Sequence, residues 1–252
     1  TVQEYEISAR GGNSKSKYYS SVSIHDNDGI VYGTDYQKIQ ARANADYKLL
    51  DNLESGVRVN VSYTNQNDVP MQSLYYSNGA WAGLILLPWI PKYDENGNHN
   101  VDIPSNSYQN PRATAEYDDQ WSKSYKFNGT MFLRWEPIKH LVIETRNSAE
   151  GAFTQDRRYW NPLARGSASE PTLQTTKSQY TNLTTSNTIN YSNVFGGYHS
   201  LRVLAGQEAT AYKYEYSYVY APGVDANIPY QNTAPQDKVE SSVGFSNDTM
   251  LS

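Results

Sequence analysis

The feature that most constrains this chain is the order in which its two-faced segments are connected. Alternation of apolar and polar residues with a period of two recurs in long stretches, and the joints between them are short and long in strict turn. In 54–65, Val57, Val59, Val61 and Tyr63 fall on one face and Arg58, Asn60, Ser62 and Thr64 on the other. In 124–136, Tyr125, Phe127, Gly129, Met131, Leu133 and Trp135 oppose Lys126, Asn128, Thr130, Arg134 and Glu136, and only Phe132 is out of phase. In 36–48, Ile39, Ala41, Ala43, Ala45 and Tyr47 oppose Gln40, Arg42, Asn44, Asp46 and Lys48. Weaker alternation over 2–10, 17–26, 141–151, 176–192, 199–220 and from 238 onward brings the expectation to about nine strands.

Short turns are expected at 11–16, 49–53, 137–140 and 193–197, and longer connections at 27–35, 66–121, 153–173 and 221–237. An up-and-down barrel in an outer membrane has short turns on its periplasmic rim and long loops outside. A soluble sandwich, with Greek-key crossings, has little reason to keep that order. Gly11-Gly12-Asn13 is expected to supply the positive φ of the first tight turn.

Tyr18, Tyr47, Trp135 and Tyr191 each lie close to a short turn and share a face with the apolar residues of their strands. That is the arrangement of an aromatic belt at a membrane interface, although Tyr and Trp are also good strand residues in general. The segment 199–220 exceeds the roughly 9 to 11 residues that cross a bilayer. Its distal part, with Tyr212, Tyr214, Tyr216, Tyr218 and Tyr220 on one face, is expected to project beyond the membrane, as a cross-strand ladder or as a ligand platform.

Composition agrees with a wall wet on one side. Hydrophobic residues make up 38% and mean hydropathy is -0.74, yet there are 23 Tyr and 5 Trp, which separates the chain from disordered sequences. The apolar run around 84–87 is cut by Pro88 and Pro91, far short of a membrane helix of about 20 residues. Residues 1–10 lack the pattern of a signal peptide, so an exported protein would carry its export signal elsewhere. The absence of Cys excludes disulfides and Cys-ligated metals, and a net charge of -5 with no basic stripe argues against nucleic acid as a partner.

Nothing in the sequence gathers catalytic chemistry, and the chain is not expected to be an enzyme or to need a cofactor. His25, His99, His140 and His199 are far apart, without HExxH, and no GxSxG or phosphate-binding loop occurs. Asp94, Asn96, Asn98 and Asp102 place oxygen ligands at alternate positions, which hints at a calcium loop, but Asp-Glu-Asn-Gly-Asn is also ordinary turn chemistry, the preferred reading. The connection 66–121 is too long to be a mere link. It carries Tyr75, Tyr76, Trp81, Trp89 and Tyr93, whose rings suit contact with substrate or a partner, or packing of the loop on itself.

Ile7-Ser8-Ala9-Arg10-Gly11-Gly12-Asn13-Ser14-Lys15 with Tyr18-Tyr19-Ser20-Ser21, then Asp28-Gly29-Ile30, Thr34-Asp35-Tyr36 and Arg42-Ala43-Asn44-Ala45-Asp46, resembles the start of the barrel wall in SusC/RagA-type TonB-dependent transporters. The run from Pro91 to Gly97 resembles the same family, as does Tyr198-His199-Ser200-Leu201 with Leu204-Ala205-Gly206-Gln207-Glu208. Gln37-Lys38-Ile39-Gln40 departs from it, where an aromatic-Arg start is expected.

The resemblance implies that all of 1–252 is part of one antiparallel, up-and-down transmembrane β-barrel. That barrel would be plugged and about 22-stranded, with 66–121 as an external loop. The signal peptide, the TonB-contacting segment and the plug are expected to lie outside this sequence. The resemblance further implies import of oligosaccharides or peptides at the bacterial outer membrane, with a SusD-like lipoprotein lid, the TonB complex, lipid and the rest of the barrel as partners. On that reading Arg42, Asn44, Asn60, Asn128 and Arg134 line the lumen, and Val57, Val59, Val61, Met131 and Leu133 face lipid. The competing classes are a soluble or surface all-β carbohydrate-binding or adhesion module, and a passive porin.

Overall fold

The computed structural model describes residues 1–68, 83–84, 86–101, 103, 110–164 and 170–252. Among them are nine strands: β1 (Val2–Gly12), β2 (Ser16–Asp28), β3 (Asp35–Leu50), β4 (Leu53–Asn67), β5 (Asp119–Ile138), β6 (Leu141–Trp160), β7 (Thr172–Phe195), β8 (His199–Pro222) and β9 (Glu240–Leu251). They form one antiparallel sheet in sequence order, each strand paired with its neighbours in the chain and none crossing over. The fold is therefore all-β and up-and-down, with the nine strands and the alternation of short and long joints that the sequence pattern predicts. A short helix, α1 (Pro111–Tyr117), lies in the longest joint.

Several strands run further than their alternation. β5 starts at Asp119, and β6 continues to Trp160, so the connection expected over 153–173 shrinks to 161–171. Past Phe153, β6 reads Thr154, Gln155, Asp156, Arg157 and Arg158, polar on both faces. With no dry face to fill there, ladder hydrogen bonding to β5 and β7 carries the strand without a period-two signature.

The first turn also differs from expectation. Gly11 and Gly12 are strand residues paired with Tyr18 and Lys17, and neither has a positive φ. The turn is instead closed by the Asn13 side chain, whose Oδ1 accepts from the backbone N–H of Lys15 at 2.8 Å and of Ser16 at 2.9 Å. Gly11 serves a different purpose: the Tyr18 ring lies across it, and a Cβ there would fall 2.3 Å from the Tyr18 hydroxyl oxygen.

A single-layer sheet has no interior, so large apolar side chains remain uncovered along one face: Ile7 is 83% exposed and Met131 55%. The main packed cluster sits at the end remote from the short turns. There Tyr159, Leu173 and Ala221 lie in one cross-strand row of β6, β7 and β8, covered by Val224 and Ala234, with Val239 against them. Connection 223–239 is pinned over this row by hydrogen bonds from Arg157 Nη2 to the Pro229 carbonyl (3.0 Å) and from the Tyr159 hydroxyl to the Ala226 carbonyl (3.4 Å).

Candidate functional site

Directly opposed residues of an antiparallel pair share a face, so the register assigns every strand residue to one of two surfaces. One surface carries the rows Ala45–Val57–Met131, Ala43–Val59–Gly129 and Ala41–Val61–Phe127. On the other lie Arg42–Asn60–Asn128 and Asn44–Arg58–Thr130. The first surface has no Asp, Glu, Lys, Arg or His along 39–47 of β3, 53–63 of β4, 125–135 of β5, 143–153 of β6, 183–191 of β7 and 203–211 of β8. Over the same spans the second carries Arg42, Asp46, Glu54, Arg58, Lys126, Arg134, Glu144, Arg146, Glu150 and Glu208. The uncharged face is driest on β3 to β5. On β6 to β8 it includes Thr145, Asn147, Thr185, Asn187 and Gln207, with the Thr185 hydroxyl donating to Asn147 Oδ1 at 2.9 Å.

Arg42, Asn44, Asn60, Asn128 and Arg134 all stand on the charged face. Gln40 Nε2 donates to Asn60 Oδ1 at 2.6 Å, and Arg134 pairs with Glu144 at 2.8 Å and, more distantly, with Glu54 at 3.8 Å. The out-of-phase residue of the sequence, Phe132, is on this face too. It is surrounded by the guanidinium groups of Arg58, Arg134 and Arg146 at 5.5, 6.0 and 5.8 Å from its ring centroid. Room for the ring comes from Gly56 directly across the pair, where a Cβ would sit 2.3 Å from both Phe132 Cε1 and Asp46 Oδ1. Gly56→Ala is accordingly expected to cost about 1 to 3 kcal/mol by overpacking. The part of the loss due to the ring should vanish when Phe132 is also shortened to Ala, while the approach to Asp46 Oδ1 remains, a non-additivity that a double-mutant cycle of urea unfolding measures.

Tyr18, Tyr47, Trp135 and Tyr191 stand on the uncharged face near the short turns. A second aromatic group on that face is not singled out by the sequence analysis. Tyr63 and Tyr125 oppose each other with centroids 4.9 Å apart, and Phe153 is next in the row. About ten residues separate Tyr125 from Trp135, which at strand rise and barrel tilt is about 25 Å, the height of a lipid-facing band. The usable signal was this spacing of aromatics along one strand.

In the long connection, Trp89 is 73% exposed, whereas Tyr93 packs at 5.3 Å against the ring of buried His99. Tyr75, Tyr76, Trp81 and Asp102 lie outside the described residues. Asp94 Oδ1 accepts from the backbone N–H of Asn96 (2.9 Å) and Asn98 (2.8 Å), the hydrogen bonding of a turn. Among the described residues no group of three or more His, Cys, Asp or Glu is placed to hold a metal ion. α1 begins with Asn110 capping the N–H of Arg112 at 3.0 Å, followed by Pro111, a favoured helix start.

Glu116 of α1 ties two of the long connections together. It accepts from His99 Nε2 (2.6 Å) and Arg112 Nε (2.5 Å), while the Arg112 guanidinium lies 3.2 Å from the ring centroid of Tyr32, in the β2–β3 connection. The hydrogen bond with His99, then the hydrogen bond and charge of Arg112, hold the Glu116 carboxyl below its ordinary range against the opposing cost of burial. A depressed carboxylate stabilises the folded loop above the ordinary Glu range, about pH 4.3, and that contribution is lost as pH falls through the lowered value. Protection of the α1 amides, taken relative to their intrinsic exchange rates at each pH, is expected to be highest at neutral pH and to fall on acidification in the unaltered chain. In Glu116→Gln protection should be lower at neutral pH with little further change, and identical pH profiles of protection would refute the tie.

No family model matches the sequence. The TonB-dependent receptor P26 of Formosa agariphila is 26% identical over 213 residues, covering 81% of this chain and 20% of that protein. The TonB-dependent receptor P3 of the same organism is 21% identical over 243 residues, covering 92% and 24%. The chain thus spans about a fifth to a quarter of the length of these curated relatives. Among solved structures, the RagAB peptide transporter superposes with a TM-score of 0.85 at 16% identity, over 99% of this chain and 29% of that one. The siderophore receptor PiuA from Acinetobacter baumannii gives 0.58 at 10% identity, over 99% and 37%. In sequence, then, this chain is similar to a section of TonB-dependent receptors, and in fold its nine-stranded sheet matches a section of the RagAB peptide transporter.

Proposed function

We propose that the chain forms part of the wall of an outer-membrane active transporter. The observation that carries this reading is the distribution of ionisable groups between the two aromatic groups: over 39–47, 53–63, 125–135 and 143–153 of β3 to β6, nine stand on one face and none on the other, while on β8 Lys213 and Glu215 stand on the otherwise uncharged face in the rows of Phe127 and Tyr125. A carbohydrate-binding module in water gains nothing from keeping one broad sheet face both uncovered and uncharged. A bilayer demands it. The open edges of β1 and β9 are paired, on this reading, by further strands of a larger plugged barrel, because unpaired strand edges are not tolerated in hydrocarbon.

The cargo is an oligosaccharide or a peptide, captured under a SusD-like surface lipoprotein and drawn inward by a TonB-driven plug. The chain does no chemistry on it. Likeness to TonB-dependent receptors and to a structure described as a peptide transporter supports this over a passive porin. The test uses the intact protein that contains this chain. It should need detergent for extraction, migrate faster on gels before boiling than after, and accumulate cargo only in cells with a functional TonB complex. Recovery in the soluble fraction would sink the wall assignment, and uptake independent of TonB would leave a porin.

A further inference from the structure

The inward-facing stripe of tyrosines on β8 is unexplained by the needs of the wall. Tyr212, Tyr214, Tyr216, Tyr218 and Tyr220 occupy the charged, lumen-side face, because Tyr212 opposes Asn182, and Asn182 opposes Glu150. The row Tyr63–Tyr125–Phe153 continues to Gln179 and Glu215, so Tyr216, Tyr218 and Tyr220 lie beyond it, where the strands extend outward, and Tyr212 and Tyr214 lie just short of it. Their rings are laid like tiles. Tyr214 and Tyr216 have centroids 6.1 Å apart with planes inclined by 33°, and Tyr180 stacks against Tyr212 at 6.2 Å and 28°.

Tyr216 lies flat on β9. Its directly opposed residue is Gly244, where a Cβ would fall 2.3 Å from Tyr216 Cε1 and 2.8 Å from Cζ. A ring lying flat on the wall offers its π face to the lumen instead of its edge. None of the five hydroxyls has a hydrogen-bond partner among the described residues, whereas Tyr180 donates to Glu150 at 2.9 Å.

We propose that Tyr214, Tyr216 and Tyr218 form a stacking platform for a neutral oligosaccharide at the outer mouth of the barrel. The proposal rests on the wall assignment above, since only that makes this face a passage. The charge pattern selects the ligand. The positions flanking the three rings are Tyr180, Ser178 and Thr176 on β7, and Ser246, Gly244 and Ser242 on β9, none of them charged. Acids surround these positions, with Asp248 opposite Tyr212, Glu240 opposite Tyr220, Glu150 accepting from Tyr180 and Asp156 in the row of Tyr218, and outnumber the nearby Arg158 in the row of Tyr220, so anionic chains are repelled. A peptide is the poorer fit: β8 is hydrogen-bonded to β7 and β9 on both sides from Ala209 to Tyr220, so no backbone edge is open for strand addition. Pyranose rings need no such edge. Their C–H faces stack on tyrosine rings while their hydroxyls meet the tyrosine hydroxyls and the flanking Ser and Thr.

The experiment measures binding of end-labelled, uncharged cello-, laminari- and maltohexaose, and of an uncharged hexapeptide, to the intact purified barrel. At least one hexasaccharide should bind. Replacing all three tyrosines by Ala should weaken it at least about tenfold, and replacing them by Phe should weaken it only about threefold, since the rings remain. The platform is overturned if no hexasaccharide binds, if Ala and wild type bind it equally, or if the hexapeptide alone depends on the tyrosines. Heat-modifiable migration and TonB-dependent uptake are scored on the same preparations. If the unaltered protein fails those, the wall assignment falls. If it passes and sugar binding ignores the tyrosines, only the platform falls.

Discussion

Val59→Arg is expected to destabilise the membrane-inserted barrel by about 2 to 4 kcal/mol, while Asn128→Leu, one strand away on the opposite face, changes it by less than about 1 kcal/mol. Val59 lies midway between Leu53 and Tyr63 on β4, and its cross-strand neighbours on that face are Ala43 and Gly129. Neither offers a guanidinium an acceptor. Reaching the headgroups from mid-band stretches even an arginine, so the charge is left in hydrocarbon or draws water in with it. Asn128, by contrast, is flanked by Asn60 and Glu150 on a wet surface, where removing an amide uncovers no buried partner. Urea unfolding from lipid vesicles, followed by the shift of the unboiled gel band, measures both. Equal tolerance of the two substitutions would contradict the facing on which the transport assignment stands.

The same two faces explain what the sequence discloses and what it hides. Where a strand separates an apolar face from a charged one, as β4 does from Val57 to Tyr63, each residue reports its side and the alternation is unbroken. Where both sides are wet, as on β6 beyond Phe153, nothing forces alternation, and the strand is visible only once its partners are known. Phe132 breaks the pattern because a single residue across the pair, Gly56, makes room for it among three arginines. That is a cross-strand fact, and no window along one strand contains it. Gly11 misled for a similar reason. Next to Gly12 and Asn13 it resembles turn chemistry, but its partner Tyr18 lies seven residues on and needs the space. The aromatic group of Tyr18, Tyr47, Trp135 and Tyr191 is legible because short turns mark its level, whereas Tyr63, Tyr125 and Phe153 have no turn beside them. The tie between His99, Glu116, Arg112 and Tyr32 joins two connections more than 60 residues apart in sequence, and polarity patterns do not carry such contacts.

Leu173→Ala is expected to free the β8–β9 connection without weakening the wall. Leu173 is 1% exposed and packed among Tyr159, Ala221, Val224 and Ala234, so shortening it removes transfer energy and leaves a cavity, together about 2 to 4 kcal/mol. The loss falls on the contact between connection 223–239 and the strand tops. Between the two aromatic groups each strand is held by ladder hydrogen bonds to its neighbours, and Leu173 lies outside those rows. Cleavage within 223–239 by a dilute protease should rise about 30- to 1000-fold, because slow cleavage follows the population of the open form. The unboiled gel band should not move. Leu183→Ala provides the comparison: it lies on the same strand and face but is 50% exposed, and its loss should leave cleavage of 223–239 unchanged. If Leu173→Ala instead lowers the unfolding midpoint of the whole barrel and leaves the connection protected, the cluster belongs to the wall and the outer rim is not an independent packing unit. Should the connection open as expected, the ends of β6, β7 and β8 remote from the short turns are held by a small core of their own on one face, and the opposite face, where the tyrosines stand, is left uncovered by it.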